Sequence, residues 1–170
     1  EREFKPLNIA VMTVSDTRTG ETDKSGNTLV KLLTEAGHAL ADKQIVPDNI
    51  YRIRAVVSQW IADSNINAVI TTGGTGITGR DTTPEAVAAL FDKQIDGFGE
   101  LFRAVSYEEI NTSTMQSRAV GGVANATFVF CLPGSTGACR TGWGKIISHQ
   151  LDYRTRPCNL VELMPRVLEK

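Results

Sequence analysis

The chain is poor in the residues that build disulfide frameworks and metal clusters. Its 170 residues include three cysteines and two histidines, and Cys131, Cys139 and Cys158 form no C-x-x-C pair. An odd number of scattered cysteines argues against both a disulfide scaffold and a zinc cluster. The histidines, His38 and His149, lie far apart and do not supply the missing ligands. Cys131 lies within the apolar run TFVFCL, so we expect a small buried side chain there.

Long apolar runs and an excess of charge of one sign are also missing. No run approaches the ~18 apolar residues that a membrane span requires, and the first segment, EREFKPLN, is polar. We therefore expect neither a signal peptide nor a membrane anchor, and a cytoplasmic location. The formal net charge of -1 lacks the basic excess typical of nucleic-acid-binding proteins. The length predicts a single domain over residues 1–170.

Short apolar segments alternate with segments of helical periodicity along most of the chain. Leu29, Leu33 and Ala36 mark the buried stripe of a first helix, which Gly37 is well placed to end. Ile53, Val57 and Trp60 mark a second helix in the same way, and a third helix covers the stretch GELFRAVSYEEI. The predicted strands cover residues 8–15, 38–46, 67–72 and 127–132. No boundaries are predicted for residues 111–126.

This alternation is typical of an α/β fold with a central, mostly parallel sheet and helices on both faces. Ligands of such folds bind at the carboxyl ends of the strands. Four loops should therefore share the functional edge, namely SDTRTG after the first strand, PDN after the second, GGTGITGRD after the third and PGST after residues 127–132.

The loop after the third strand carries the densest pattern of glycines. Residues 74–79 read GTGITG, which satisfies the dinucleotide pattern G-x-G-x-x-G, but that pattern normally follows the first strand and runs into a helix. Here we expect the helix to begin only at Pro84, with Thr83 as its cap. A phosphate loop would have Lys and Ser or Thr where this chain has Arg80 and Asp81. A tight turn is the third alternative, although it would need fewer glycines.

Phosphate binding by the loop backbone accounts best for these glycines. Bare N–H groups can approach an anion closely, and Thr72, Thr75 and the start of the next helix favour negative charge there. Asp81 and Asp48, on the neighbouring loop, would repel a phosphate unless a cation lay between them. Carboxylates together with phosphate oxygens are the usual ligands of Mg²⁺, so the pattern predicts a magnesium site. An ordinary turn residue is the alternative for Asp48.

These stretches resemble a known family. TTGGTGITGRDTTPEA, GFGE (97–100) and LPGS (132–135) are similar to motifs of the molybdenum cofactor biosynthesis family that includes MoaB and Mog and the adenylyltransferase domain of gephyrin. The pattern TSTMQSRAVGGVAN and the closing RTRPCN resemble the MoaB branch in particular. The resemblance covers nearly the whole chain.

The resemblance implies a three-layer αβα sandwich, a homo-oligomer (trimer or hexamer), and adenylyl transfer from ATP to molybdopterin with Mg²⁺. Asp48 and Asp81 match the family aspartates that organise the metal and the triphosphate. The nucleotide and pterin loops match at the remaining positions: Ser15, Asp16, Gly73, Gly74, Thr75, Gly76, Pro133, Gly134 and Ser135.

The resemblance also implies the course of the reaction. The terminal phosphate of molybdopterin would attack the α-phosphorus of ATP directly, because no side-chain nucleophile is required. The alternative is a protein that binds molybdopterin, or assembles other proteins of the pathway, without catalysis. The segment from Asp152 to Lys170 is too poor in apolar residues for its own core, so we expect it to pack on its own subunit or on a neighbour.

Overall fold

A computed structural model describes residues 1–170 and contains one six-stranded sheet. The strands are β1 (Asn8–Val14), β2 (Ala39–Val46), β3 (Ala68–Thr72), β4 (Lys93–Gln94), β5 (Val120–Ala124) and β6 (Thr127–Leu132). Their order across the sheet is β2-β1-β3-β6-β5-β4. β2, β1, β3 and β6 are parallel neighbours, and β5 is antiparallel to both β6 and β4. The prediction of a mostly parallel sheet is confirmed.

Helices cover both faces of the sheet. They are α1 (Lys24–Glu35), α2 (Ile50–Ala62), α3 (Thr83–Ala88), α4 (Asp96–Ile110), α5 (Thr136–Gly142), α6 (Ser148–Gln150) and α7 (Leu160–Leu163). A π-helical turn, Trp143–Ile147, joins α5 to α6, and short 3₁₀ helices span Asn111–Gln116 and Met164–Arg166. None of the helices combines the length and the apolar character that crossing a membrane would require.

Alternate residues of the strands pack into two separate cores, as the period of a strand requires. Ile9 and Ile70 point to the face covered by α1, α4 and α5, where Leu33 and Phe102 pack against them. Met12 and Val69 point to the opposite face, covered by α2 and α3. The molecule is therefore a three-layer αβα sandwich, as the family resemblance implies. Burial also removes Cys131 from solvent and raises the pKa of its thiol to about 12.

One predicted helix start is wrong in detail. Thr83 is not the cap of α3 but its first residue, and Thr82 precedes it without a capping hydrogen bond from its side chain. The hydroxyl of Thr83 instead donates to the carbonyl of Gly73 at 2.9 Å. A tertiary contact therefore uses the hydroxyl that local sequence patterns assign to capping. Gly37 ends the first helix with a φ of 100°, as expected.

The closing segment packs on its own subunit. Val161 is 7% exposed and joins the core beneath α1 and α4, and Asn159 and Glu162 cap α7 through a reciprocal pair of hydrogen bonds. Arg2 reaches from the other end of the chain to pair with Glu162 at 2.7 Å. Of the two expected arrangements, packing along the same subunit is therefore present.

His38 stabilises the junction between the first residues and β2. Its ring is 5% exposed, packs against Phe4 and Trp143, and accepts a hydrogen bond at Nδ1 from the N–H of Leu7 at 3.0 Å. Burial lowers the pKa of His38, and the carboxylate of Asp152 offsets only part of that effect. The folded protein therefore favours the neutral ring, which alone can accept at Nδ1.

The free energy of unfolding should depend on pH through His38. Because the pKa is lower in the folded than in the unfolded chain, the unfolded chain binds more protons below pH ~6.5, so stability falls as the pH drops through that value. Chemical denaturation at pH 5 and pH 7.5 should show a larger loss for the native chain than for His38→Gln. Equal losses in the two proteins would contradict this account.

Candidate active site

The four loops expected at the carboxyl edge of the sheet lie side by side. The N–H of Gly73, after β3, donates to Leu132 of β6 at 3.0 Å. The N–H of Asp48, after β2, donates to the Asp16 carboxylate, after β1, at 2.9 Å. Parallel strands explain this arrangement, because all their carboxyl ends meet at one edge.

The carbonyl groups of the glycine loop, residues 73–76, are all hydrogen-bonded within the protein. Thr83 donates its hydroxyl to the carbonyl of residue 73 at 2.9 Å and its N–H to that of residue 74 at 3.0 Å. Arg118 donates its N–H to the carbonyl of residue 75 at 2.9 Å and its Nε to that of residue 76 at 2.7 Å. The N–H groups of Gly74 and Thr75 have no partner in the protein. Unpaired amides beside satisfied carbonyls favour an anion.

Three of these glycines are required by backbone geometry or by close packing. Gly73 and Gly74 have φ values of 101° and 74°, in the region that side chains rarely adopt. A Cβ atom at Gly74 would lie 2.2 Å from the Thr83 hydroxyl, and one at Gly76 would lie 2.6 Å from the Asp81 carboxylate. Glycine therefore lets the loop approach both Thr83 and Asp81.

Asp81 is held as an anion at the end of the glycine loop. Its Oδ2 accepts hydrogen bonds from the N–H and the hydroxyl of Thr78 at 2.9 and 2.7 Å. Burial by itself would raise the pKa of Asp81, but the bonds from Thr78 and Gly76 and the charge of Arg118 outweigh it and lower the pKa. The carboxylate stays ionised at neutral pH.

Asp48 has the opposite environment. Its Oδ1 is buried without any hydrogen-bond partner. Burial raises the pKa of Asp48, the carboxylates of Asp16 and Asp81 raise it further, and the charge of Arg80 offsets part of the shift. A buried, unpaired carboxylate oxygen near two further carboxylates is relieved by a cation, so the donor set fits a metal ion at this position.

No group of three or more His, Cys, Asp and Glu side chains is close enough to hold a metal by itself. Any ion here would need ligands from a bound molecule in addition to Asp48 and Asp81. Mg²⁺ commonly has this arrangement, with one or two carboxylates and substrate phosphate oxygens. The residues therefore fit a magnesium ion that enters together with a phosphate-bearing ligand.

Ser15 and Asp16 shape the first loop. The hydroxyl of Ser15 accepts from the N–H groups of Thr17 and Arg18 at 3.2 and 3.1 Å. Asp16 supports Asp48 through its Oδ1 and forms an ion pair with Arg80 through its Oδ2. Ser15 thus fixes the first loop internally, whereas Asp16 connects it to the loops that carry Asp48 and Arg80.

Two hollows flank the glycine loop and share Gly134. The smaller, about 380 Å³, is lined by Ser15, Asp16, Asp48 and Gly73 together with the two arginines Arg18 and Arg80. The larger, about 470 Å³, is lined by residues 74–76 and 133–135, by Asp81, and by Phe102 and Glu109 of α4. The carboxylates Asp48 and Asp81 therefore line different hollows. The smaller hollow is highly charged, whereas the larger also offers apolar surface.

The loop after β6 forms the boundary between the hollows. Thr72 is fully buried, and its hydroxyl donates to the carbonyl of Pro133 at 2.9 Å, so its side chain supports this loop from beneath. Ser135 caps α5 by accepting from the N–H of Ala138 at 3.1 Å. A Cβ atom at Gly134 would lie 3.4 Å from the Cα of Gly73, so the two glycine loops are in close contact.

Sequence reasoning missed two arginines of this site. Arg118 lies within residues 111–126, for which no boundaries are predicted, yet its guanidinium also bonds the carbonyl of Asp81 at 2.7 Å and pairs with Glu85. Arg18 lies in the first loop and donates to the carbonyl of Gly134 at 3.3 Å. Both contacts join segments far apart in the chain, so no local pattern marks them.

Comparison with known proteins identifies the family. Residues 10–153 match the family model described as a probable molybdopterin binding domain. The chain belongs to this family. It is 57% identical over 157 residues to molybdenum cofactor biosynthesis protein B of Escherichia coli (strain K12), covering 92% of each chain. The family resemblance seen in the sequence motifs is thus confirmed.

Solved structures agree with this assignment. A crystal structure of molybdenum cofactor biosynthesis protein B has a TM-score of 0.85 at 48% identity, covering 88% of this chain and 94% of that chain. The tungsten cofactor synthesizing protein MoaB of Pyrococcus furiosus has a TM-score of 0.77 at 38% identity, covering 85% of this chain and 92% of that one. The family fold is therefore shared over most of the chain.

The glycine loop should respond to substitution position by position. Gly74→Ala should lower the free energy of unfolding by about 1–3 kcal/mol, because it combines a positive φ with a clash against Thr83. Gly79→Ala is the matched control on the same loop, since a Cβ there meets nothing within 4 Å; it should change stability by less than about 1 kcal/mol. Chemical denaturation measures both free energies of unfolding, and equal effects would show that the positive φ and the Thr83 contact do not require glycine at position 74.

Proposed function

We propose that this chain is a molybdopterin adenylyltransferase that joins the AMP moiety of ATP to the terminal phosphate of molybdopterin and releases pyrophosphate. Its family and its relatives named molybdenum cofactor biosynthesis protein B support a role in that pathway. The observation that carries the specific reaction is the glycine loop, where the N–H groups of Gly74 and Thr75 have no protein partner and the unpaired Oδ1 of Asp48 would lie 3.1 Å from a Cβ at Gly74. Phosphate and a cation are both accommodated there.

The two hollows suit the two substrates. The charged smaller hollow, with Ser15 and Asp16, would take the phosphates of ATP. The larger hollow, bounded by Pro133, Gly134 and Ser135 and including Phe102, would take the flat pterin. Because the hollows share Gly134, the phosphates of the two substrates can come into contact over the glycine loop. The residues at that contact would be Gly73, Gly74, Thr75 and Gly76, and Thr72 lies beneath them.

Asp48 and Asp81 would hold a magnesium ion together with substrate oxygens. When bound, such an ion offsets negative charge on the leaving pyrophosphate. The protein's own contribution is to orient the two phosphates in line and to donate the free amides of Gly74 and Thr75 to them. Asp81 is kept ionised for this role by Thr78.

Transfer is direct on this proposal. Burial raises the pKa of Cys131 to about 12 and that of Cys139 to about 11, so both thiols stay protonated and are poor nucleophiles. The attacking group is an oxygen of the molybdopterin phosphate, and the bond that breaks joins the α-phosphorus of ATP to the oxygen that bridges the α- and β-phosphorus atoms, which leaves as a terminal oxygen of pyrophosphate. Covalent attachment of radiolabelled adenylate to the purified protein would contradict this course.

The deciding experiment follows pyrophosphate release by the purified chain supplied with molybdopterin, ATP and Mg²⁺. Asp81→Asn keeps the size of the side chain but removes its charge, and should reduce the rate at least about a hundredfold while leaving pterin binding much less affected. Asp48→Asn should act similarly. If both serve one ion, the double variant should cost less than the product of the single effects.

Asp63→Asn provides the control for these substitutions. Asp63 follows α2 near the opposite edge of the sheet and accepts from the N–H of Asn65 at 2.9 Å, so its loss of charge should leave the rate unchanged. Should Asp81→Asn release pyrophosphate normally but melt many degrees lower, Asp81 would be a structural residue and the metal assignment would be wrong.

A non-catalytic molybdopterin-binding protein is the second candidate. Two observations favour it: Asp48 and Asp81 line different hollows, and no third protein ligand completes a metal site. The same experiment separates the two functions. Binding of molybdopterin without pyrophosphate release would support the binding protein, and turnover would exclude it.

We also infer that the chain forms a homo-oligomer, a trimer or a hexamer. Several large apolar side chains of α4 and the following turn are exposed, namely Leu101, Tyr107, Ile110 and Met115. Such a concentration is typical of a surface that contacts another subunit. Light scattering at micromolar concentration should therefore give a multiple of the 18.4 kDa chain mass, and a monomer would contradict the inference.

A further inference from the structure

The place where the two substrates must react is narrow and well defined. The hollows share Gly134, while Gly73 lines only the smaller hollow and Gly74 only the larger. A bond between a phosphate of one substrate and a phosphorus of the other can therefore form only over this group of glycines. A cationic side chain that contacts the transferred phosphate must therefore lie beside these glycines.

Arg18 is the cationic side chain bonded to this boundary. It lines the smaller hollow, and its guanidinium donates to the carbonyl of Gly134 at 3.3 Å. Arg80 lines the same hollow, but its side chain is 80% exposed and paired with Asp16. The side chain of Arg18 is 35% exposed. It has therefore lost much of its hydration in the free protein but is still accessible from the smaller hollow.

A buried carboxylate holds Arg18 in position. Asp23, 0% exposed, lies 3.6 Å from the guanidinium of Arg18, and Ser25 accepts a hydrogen bond from the same nitrogen. Asp23 is itself fixed by the hydroxyl of Thr13 at 2.7 Å and by Lys43 at 2.9 Å. The orientation of the guanidinium is therefore set before any ligand binds.

Arg18 also retains donors and charge for a ligand. Its hydrogen bonds to Ser25 and Gly134 use two of the five N–H donors of a guanidinium. Asp23 lies between two cations, Arg18 and Lys43, so this trio carries one net positive charge. Planar N–H donors match two phosphate oxygens at once.

We propose that Arg18 is a catalytic residue that binds the non-bridging oxygens of the transferred phosphate, and that Asp23 is the positioning residue that orients it. This inference rests on the proposed adenylyl transfer. As the new P–O bond forms and the bond to pyrophosphate breaks, negative charge on the transferred group is met by donors that need no rearrangement. The role is separate from that of Asp48 and Asp81, which would hold the metal.

The test compares three variants in pyrophosphate release and in binding of inorganic phosphate by calorimetry. Arg18→Gln removes the charge and should lower kcat about a hundredfold or more and weaken phosphate binding about tenfold. Arg18→Lys keeps the charge but loses the planar donors, so its kcat should fall about tenfold. If Arg18→Gln does not fold, Arg18→Lys is the variant that tests the role of Arg18. An unchanged kcat in Arg18→Lys would then overturn the proposal.

Arg54→Gln is the matched control. Arg54 also joins two elements through backbone carbonyls, donating to Ala86 and Glu85 at 3.0 and 3.1 Å, but it lines neither hollow. It should match the native chain in both measurements. If Arg18→Gln behaves like Arg54→Gln, the proposed role of Arg18 is wrong. This holds even if Asp81→Asn abolishes turnover, a result that would support the proposed adenylyl transfer.

The two measurements also separate failure of the reaction from failure of the residue. If the native chain releases no pyrophosphate but binds phosphate, and Arg18→Gln weakens that binding, Arg18 remains the phosphate ligand and only adenylyl transfer is wrong. If the native chain and Arg18→Gln bind phosphate equally, the inference about Arg18 is wrong. A native chain that neither turns over nor binds phosphate contradicts both proposals.

Discussion

The carbonyl groups of residues 73–76 are bonded to Thr83 and Arg118, and this inward bonding governs the candidate site. A loop whose carbonyls faced the hollows would repel an anion, whereas this loop leaves the N–H groups of Gly74 and Thr75 unpaired beside them. The same bonds hold the start of α3 and the segment before β5 against the loop that follows β3. Arg118 additionally bonds the carbonyl of Asp81, so this residue, together with Thr83, connects the geometry of the loop to the backbone position of Asp81.

Two aspartates of similar appearance in the sequence differ in their electrostatic state. Hydrogen bonds from Thr78 outweigh burial at Asp81 and lower its pKa, whereas Asp48 is buried without a partner beside other carboxylates, which raises its pKa. The surroundings of Asp81 thus favour its charged form, whereas those of Asp48 disfavour it, with Arg80 offsetting part of the effect. On the proposed function, a cation that arrives with the phosphates would stabilise the Asp48 carboxylate.

The alternation of apolar strands and amphipathic helices was sufficient to predict the parallel sheet, because buried parallel strands have a continuous apolar pattern. It also predicted which loops meet, since strand polarity alone brings their ends to one edge. The pattern was insufficient at Thr83, whose hydroxyl bonds Gly73 and does not cap α3. It was also insufficient over residues 111–126, where β5 is a short strand with two consecutive glycines and its partner β4 has only two residues. Such short strands depend on their neighbours in the sheet and carry little local signal.

The sequence by itself determined the family, the order of the layers and the acidic and glycine positions, because these follow from short motifs and from hydrophobic periodicity. Only the tertiary structure decided that Asp48 and Asp81 line separate hollows, that Arg118 orients the glycine loop, and that Asp23 holds Arg18 against Gly134. Asp23 lies near Arg18 in sequence, but it is fixed by Thr13 and Lys43 of β1 and β2. The contacts of Arg118 with Gly76 and of Arg18 with Gly134 join residues 42 and 116 positions apart, and polar contacts of that kind leave no periodic trace in the chain. Their energies depend on burial, which is a property of the folded molecule.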